Sequence, residues 1–149
     1  MRAVLQRVKE ASVSVNNQVK GQINEGLCVL LGIEDSDEES DVEWLTKKIS
    51  QLRIFSDETG KMNLDINDIK GGILVVSQFT LHAKTKKGNR PSFVRAANPE
   101  KSVPLYEFFI QKLSEKVMTV EQGIFGEHME VSLINDGPVT IIIDTKNKE

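Results

Sequence analysis

The chain opens with alternating hydrophobic and polar residues, the pattern of a β-strand with one buried face. This alternation runs from Arg2 to Val15 and predicts a first strand. Asn16 and Asn17 are typical turn residues, and Val19 to Ile23 can pair back as the second arm of a hairpin. The apolar run Leu27 to Ile33 suits a central strand, so three strands are predicted before any helix.

Two later segments repeat apolar residues at helical intervals instead. The first follows Ser36 and Glu39, which have the spacing of a capping box, and it carries Val42, Leu45, Ile49 and Leu52. The second is predicted to begin near Pro104, because proline is accepted in a first turn, and it carries Leu105, Phe108, Phe109, Leu113 and Val117. Each apolar face predicts an amphipathic helix packed on the sheet.

The remaining apolar segments predict further strands. Arg53 to Ser56 suits a short strand, and Ile73 to Val76 suits a buried one. Met129 to Ile134 and Val139 to Ile143 predict two more, and the local sequence Asn135–Pro138 favours a hairpin turn between them. Since the helices are inserted singly between groups of strands, we expect an α+β fold with a mainly antiparallel sheet, in one domain over residues 1–149.

Composition and charge limit the classes of function. The 149 residues are 39% hydrophobic and 28% charged, as is ordinary for a globular protein with a real core. The chain has no leader-like start and no apolar stretch long enough to span a bilayer, so a cytoplasmic protein without a membrane partner is expected. The net charge of -3 restricts any nucleic-acid contact to a local basic patch.

Metal and cofactor chemistry receive little support from the sequence. Cys28 is the single cysteine and lies in an apolar run, which predicts a buried thiol. His82 and His128 are far apart and lack a paired ligand, so no metal site is predicted. The glycines form neither a phosphate-binding loop nor a dinucleotide motif, so no cofactor is expected.

The polar segment Ser77 to Leu81 ends a strongly apolar strand, where side chains and free backbone amides can face a ligand. The alternative is structural, with Thr80 as a good strand residue and Gln78 facing water. Thr80 as a nucleophile would need a base, and His82 lies on the same face of a strand but about 7 Å away. Backbone amides that stabilise an oxyanion, with a positioned water, would cleave an activated ester without a triad.

The segment from His82 to Arg95, the basic loop, contains no acidic residue, and Gly88 and Pro91 predict that it is exposed. Its cations are Lys84, Lys86, Lys87, Arg90 and Arg95. They suit contacts with the phosphates of a nucleic acid. A solvated loop without a ligand is the equal alternative.

Several separate motifs resemble those of one protein family in their order and spacing. They are Met1–Val8, Ser77–Leu81, Gly88–Phe93, Gly123–Gly126, Met129 and Asn135–Thr140. Together they cover essentially the whole chain and resemble the D-aminoacyl-tRNA deacylase family. The resemblance implies a β-barrel-like α+β homodimer that hydrolyses the ester between tRNA and a D-amino acid.

The resemblance also implies roles for individual residues. Ser77, Gln78, Phe79 and Thr80 would form the floor of the active site, with the Phe79 amide directed towards the oxyanion and the ribose 2′-hydroxyl assisting. Gly137 and Pro138, joined by a cis bond, would enter from the other subunit and hold the substrate α-ammonium through their carbonyls. The bulk of this pair would exclude an L-configured Cβ. Glycine has no Cβ, so glycyl-tRNA mischarged on alanine tRNA would also be a substrate.

The same resemblance places the tRNA. Phe125 and Met129 would form the pocket for the terminal adenosine, where an apolar surface stacks a base. Lys84, Lys86, Lys87 and Arg90 would follow the acceptor-stem phosphates. Glu127 departs from the family pattern, in which a small residue is commoner, at the edge of the adenosine pocket. Ordinary core packing is the alternative for Phe125 and Met129.

Two other functions remain open from the sequence. The first is a non-catalytic tRNA-binding module that uses the basic loop and Phe125 without hydrolysis. The second is a different esterase on the same scaffold, in which Thr80 is the nucleophile and His82 the base.

Overall fold

The protein, described here over residues 1–149 by a computed structural model, is built mainly from strands. Two α-helices and one 3-10 helix interrupt them. In chain order the elements are β1 Arg2–Val15, β2 Gln18–Ile23, β3 Gly26–Gly32, α1 Glu39–Ser50, β4 Phe55–Ser56, β5 Met62–Leu64, β6 Gly72–Ser77, the 3-10 helix Phe79–His82, α2 Pro99–Ser114, β7 Thr119–Gln122 and β8 Glu130–Asp144. Neither α-helix has the length and apolar character needed to cross a membrane.

Six of the strands form one sheet in the order β2-β1-β3-β6-β7, with β8 also paired to β1. Strand β1 is antiparallel to β2, β3 and β8. The α+β prediction is confirmed, with one correction: β6 runs parallel to both β3 and β7. The reason is the placement of the helices, because α1 lies between β3 and β6 and α2 between β6 and β7, and parallel neighbours require such crossover connections.

The two ends of the sheet come together, which gives the barrel-like shape. A Cβ atom built on Gly21 in β2 would lie 2.8 Å from the carbonyl oxygen of Gln122 in β7. Only glycine allows the two backbones to approach this closely. The sheet is therefore nearly closed.

The core lies between the sheet and the two helices. Helix α1 buries Val42, Leu45 and Ile49 there, and α2 buries Phe109 and Leu113. A smaller apolar cluster lies between β1, β2, β3 and β6 and contains Cys28. Burial raises the pKa of the Cys28 thiol to about 11, so the prediction of a buried thiol is confirmed.

Both helices begin at residues other than those predicted. The Asp41 carboxylate accepts the backbone N–H of Glu38 at 2.9 Å. The capping box of α1 therefore consists of Glu38 and Asp41, and not of Ser36 and Glu39 as predicted. The preceding residues are held in a turn, since the Asp37 carboxylate accepts the N–H of Glu34 at 2.8 Å.

Helix α2 starts at Pro99, and Pro104 lies inside it. The Asn98 side chain caps it by accepting the N–H of Lys101 at 3.2 Å. The predicted start near Pro104 was therefore wrong, because a stronger start signal, an asparagine cap followed by proline, lies five residues earlier.

Strand β8 also differs from the prediction of two strands joined by a hairpin turn. It continues from Glu130 to Asp144 and pairs with β1 on both sides of residues 136–139. Opposite Gln6 and Val8 stand Thr140 and Asn135, so the residues between them bulge out of the ladder. We call Asp136 to Val139 the Gly-Pro bulge. Proline is accepted here because a bulged residue does not have to donate to the ladder.

Candidate active site

The polar segment Ser77 to Leu81, the floor segment, leaves the core where two parallel strands end. Ser77 is the last residue of β6 and pairs with Leu31 of β3. The N–H of Gln78 donates to the carbonyl of Leu31 at 2.8 Å, and the chain then turns into the 3-10 helix Phe79–His82. Ligands of open sheets commonly bind beyond the carboxyl ends of parallel strands, so this is a natural place for a site.

A cavity of about 250 Å³ opens above this point. Three residues of the floor segment line it, namely Ser77, Gln78 and Phe79. The other side is the turn from Phe125 to Met129, which we call the wall. The remaining lining is mostly apolar, from Leu31, Ile33, Val76, Ala97, Ser102 and Val131. The structure thus brings together five residues predicted for the site, from segments almost fifty positions apart in the sequence.

Thr80 does not line this cavity. Its side chain is exposed, and the Gln78 side-chain amide donates to its Oγ1 at 2.5 Å. His82 is only 2% exposed, and neither of its ring nitrogens has a hydrogen-bond partner. The assumption that both side chains share a strand face was wrong, because residues 79–82 form a 3-10 helix in which positions i and i+2 point in different directions. The structure therefore contains no hydrogen-bonded Thr80–His82 pair.

The backbone at the start of the 3-10 helix offers a different kind of chemistry. The first N–H groups of a helical turn have no acceptor within it, and here they belong to Phe79 and Thr80. The Phe79 side chain is 56% exposed and packs edge-on against Phe93, with ring centroids 5.1 Å apart. The ring is therefore held outside the core, and Phe79 lies at the cavity. Such donors can stabilise a developing oxyanion.

The wall is supported from the core. The ring of Phe125 lies 5.5 Å from that of Tyr106 in α2, and the Tyr106 hydroxyl donates to the carbonyl of Val75 at 3.3 Å. Burial raises the pKa of Tyr106, so this hydroxyl stays protonated and able to donate. A Cβ atom on Gly123 would lie 2.5 Å from the Met129 sulfur, so the Met129 side chain packs closely over this glycine.

Apart from His82, the basic loop is largely exposed, as predicted. Lys84, Lys86, Lys87 and Arg90 are all exposed, and none of them lines the cavity. Backbone hydrogen bonds between Lys84 and Ser92, of 2.8 and 3.1 Å, close the loop. Arg95 differs from the other cations because it is bound to the buried Glu34, with Nη2 2.8 Å from the carboxylate.

Glu34 contacts both ends of the basic loop. Burial alone would raise the pKa of its carboxyl, but the hydrogen bond and charge of Arg95 outweigh burial and hold that pKa below its usual value. The same carboxylate lies 3.8 Å from Nδ1 of His82, which ends the 3-10 helix. The sequence did not identify Glu34, since nothing local connects it to residues about fifty and sixty positions away.

Gly137 and Pro138 are exposed and do not line the cavity of their own chain. Their peptide bond is cis. Arg7 holds the bulge from one side, as its Nε donates to the carbonyl of Asp136 at 3.0 Å and its Nη1 to that of Ile54 at 2.7 Å. Asn135 holds it from within, because its side-chain oxygen accepts the N–H of Val139 at 3.0 Å.

A second contact fixes Asn135 itself. Its amide nitrogen donates to the side-chain oxygen of Gln6, which also accepts the hydroxyl of Thr140 at 3.0 Å. Arg7 and Gln6 were missed from the sequence because both belong to the regular alternation of β1. Their position in that strand, opposite the bulge, is visible only once β8 is paired.

Comparison with known proteins gives the family. A family model described as D-Tyr-tRNA(Tyr) deacylase matches residues 4–144. The chain belongs to this family. It is 58% identical over 150 residues to a D-aminoacyl-tRNA deacylase of Porphyromonas gingivalis, with 100% of both chains covered. It is 60% identical over 153 residues to one of Cytophaga hutchinsonii, again with 100% of both chains covered. Family membership confirms the resemblance and the prediction of a hydrolase.

Solved structures agree with this placement. A structure titled c-Myc DNA Unwinding Element Binding Protein is similar with a TM-score of 0.91 and 41% identity, over 97% of this chain and 98% of that one. A probable eukaryotic D-amino acid tRNA deacylase has a TM-score of 0.83 at 17% identity, over 95% and 97%. At that identity the second likeness supports the fold alone.

Proposed function

We propose that the protein hydrolyses the ester between a D-amino acid and the 3′-terminal ribose of tRNA, in the cytoplasm, and releases free tRNA and the D-amino acid. Water adds to the ester carbonyl carbon, the bond from that carbon to the ribose oxygen breaks, and a proton passes to the ribose oxygen. The observation that carries the proposal is the floor segment, where the 3-10 helix starts with free backbone donors beside a mostly apolar cavity.

Catalysis in this proposal depends on the backbone and not on a side-chain nucleophile. The Phe79 N–H stabilises the oxyanion, and Ser77 and Gln78 line the site. Thr80 acts through its contact with Gln78, and the ribose 2′-hydroxyl assists the reaction. The lack of a hydrogen-bonded Thr80–His82 pair disfavours the esterase alternative, in which His82 would be the base.

Chirality is selected by the Gly-Pro bulge of a second subunit. The bulge is exposed and lies away from the cavity of its own chain, so it is free to enter a partner's site. There the carbonyls of Gly137 and Pro138 hold the α-ammonium and leave no space for an L-configured Cβ. Glycine passes this filter, so glycyl-tRNA mischarged on alanine tRNA is a second substrate.

The proposed homodimer would bury the outer face of β8, which carries apolar side chains that are open to solvent in the single chain. Ile134 is 50% exposed and Ile142 70% exposed. Strand β8 pairs only with β1, so its other edge is also free. Exposed apolar residues beside an open strand edge are typical of an interface.

The tRNA would bind along the wall and the basic loop. Phe125 and Met129 take the terminal adenosine, since both reach the cavity and Phe125 offers a supported aromatic face. Lys84, Lys86, Lys87 and Arg90 contact acceptor-stem phosphates, since all four are exposed and form no ion pair within the chain.

Incubation with D-Tyr-tRNA and with L-Tyr-tRNA tests the proposal directly. We expect the D-ester to be cut and the L-ester to survive. A protein that binds both and cuts neither would be a non-catalytic tRNA-binding module, the alternative function. The solved structure at 41% identity is named as a DNA-binding protein, which is the reason for testing binding without hydrolysis. Replacement of His82 by alanine should leave turnover of the D-ester in place.

A further inference from the structure

The one acidic side chain of the cavity has no role in the proposed function. Glu127 is the only carboxylate among the lining residues, and no lysine or arginine lines the cavity. It is exposed and forms no ion pair within the chain. Of the other polar side chains in the lining, Ser102 donates to the carbonyl of Asn98 at 2.8 Å and Gln78 donates to Thr80, whereas the side chains of Ser77 and His128 form no hydrogen bond within the chain. Glu127 is therefore a free hydrogen-bond acceptor on a largely apolar surface.

The wall presents this acceptor next to an aromatic ring. The N–H of Glu127 donates to the carbonyl of Ile124 at 3.3 Å, and Gly126 takes a φ of +80°, so residues 124–127 form a tight turn. Phe125 and Glu127 lie two positions apart in that turn, and both reach the cavity. A flat heterocycle stacked on the ring would thus have a carboxylate available at its edge.

We propose that Glu127 accepts a hydrogen bond from the exocyclic amino group of the terminal base and so selects adenine over a purine with an oxo group at the same position. This inference rests on the proposed function, which places the terminal nucleoside in this cavity. A carboxylate only accepts hydrogen bonds, so it pairs with an amino group and repels a carbonyl oxygen. The lack of lysine and arginine in the lining makes the cavity less suited to a phosphate than to an uncharged base.

The α-ammonium of the amino acid is the other amino-group donor of the terminal aminoacylated adenosine. Glu127 belongs to the wall with Phe125 and Met129, whereas the ester would lie at the floor segment with Phe79. The position of the carboxylate in the wall therefore favours the base. The two possible partners of Glu127 can be told apart by experiment. Changing the terminal base while keeping the amino acid removes the donor of the base and leaves the α-ammonium in place.

The test compares two substrates that differ only at the terminal base. D-tyrosine is attached to tRNA that ends in adenosine, or to the same tRNA with inosine as its last nucleoside. For the unaltered protein we expect kcat/KM to be roughly tenfold higher with adenosine, the value of one charge-assisted hydrogen bond on a partly exposed surface. Glu127→Ala should remove this preference. Glu127→Gln, whose amide both accepts and donates, should weaken it by improving the inosine substrate.

Glu130→Ala is the matched control, since Glu130 is an exposed carboxylate in the next strand that does not line the cavity, and it should keep the full preference. Equal cutting of the two substrates by the unaltered protein would overturn the inference and leave the proposed function intact. So would a loss in Glu127→Ala that is equal for both substrates, which would point to the α-ammonium. Failure to cut either substrate would instead refute the proposed function.

Discussion

At the scale of single residues, the side chains that matter most for selectivity are those that hold backbone in place. The Gly-Pro bulge offers carbonyl groups and bulk, so its shape depends on its neighbours and not on its own side chains. Arg7 fixes it to the body of the protein by bonding the carbonyls of both Asp136 and Ile54. Because Arg7 is largely buried, water cannot easily replace these two hydrogen bonds if they are lost.

Replacement of Arg7 by alanine should therefore loosen the chiral filter. We expect kcat/KM for D-Tyr-tRNA to fall by about tenfold, the value of one or two lost hydrogen bonds from a charged donor. Hydrolysis of L-Tyr-tRNA should rise at the same time, since a mobile bulge excludes a Cβ less strictly. Lys20→Ala, which removes an exposed cation from β2, is the control and should change neither rate. An unchanged D to L ratio in Arg7→Ala would contradict this role.

Glu34 gives a second prediction at this scale, through pH. Its pKa is lowered in the folded protein, so the carboxylate stabilises folding above its unfolded-state pKa, and this contribution is lost as the pH falls through the folded-state pKa. Glu34→Gln should lower the free energy of unfolding by ~1–2 kcal/mol near neutral pH, measured by thermal denaturation. The difference from the unaltered protein should shrink as the pH falls below the usual carboxyl pKa of about 4.3 and on through the lower folded-state pKa. Glu130→Gln is the control, and a pH-independent difference for Glu34→Gln would refute the account.

At the scale of elements, the sequence predicts the helices and strands whose conformation is determined by their own residues. The hairpin of β1 and β2 was predicted correctly, because Asn16 and Asn17 both adopt the positive φ that its two-residue turn requires. Strand β7 was missed, since its sequence Thr119–Gln122 has no strong apolar pattern and depends on pairing with β6. The supposed turn in β8 was wrong for the opposite reason, because pairing with β1 on both sides of residues 136–139 overrides a local turn signal.

The cap of α2 offers a test at the element scale. Asn98 satisfies one of the free N–H groups at the start of the helix that carries Tyr106, the support of Phe125. Asn98→Ala should cost ~1 kcal/mol in the free energy of unfolding, measured by chemical denaturation. Since the helix still packs on the core, kcat/KM should stay close to that of the unaltered protein. Asn89→Ala, in the exposed basic loop, should have no effect on stability. If Asn98→Ala lowered the free energy of unfolding no more than Asn89→Ala does, the cap would contribute nothing to stability.

At the scale of the whole molecule, the candidate site is assembled from distant parts of the chain. The floor segment was predicted because a polar end on a buried strand is visible in the sequence. Its meeting with the wall depends on the parallel pairing of β6 with β7, which brings residues 123–129 to the same end of the sheet. Local patterns do not encode that pairing. Nor do they show that the Gly-Pro bulge lies away from the cavity of its own chain, which is the reason for proposing a second subunit.

The contribution of a second subunit can be tested by combining two defective variants. Ala97→Phe fills part of the cavity of its own chain and leaves its Gly-Pro bulge intact. Pro138→Arg leaves the cavity intact and puts a positive charge where we propose that the α-ammonium binds. Each variant alone should be inactive towards D-Tyr-tRNA. If the bulge acts across subunits, unfolding and refolding the two together creates hybrid dimers with one intact site, and about a quarter of the normal activity should return. If the bulge acts within its own chain, every site in the mixture stays defective and no activity returns.

Light scattering of the unaltered protein completes the test, because an active monomer would also exclude a site shared between subunits.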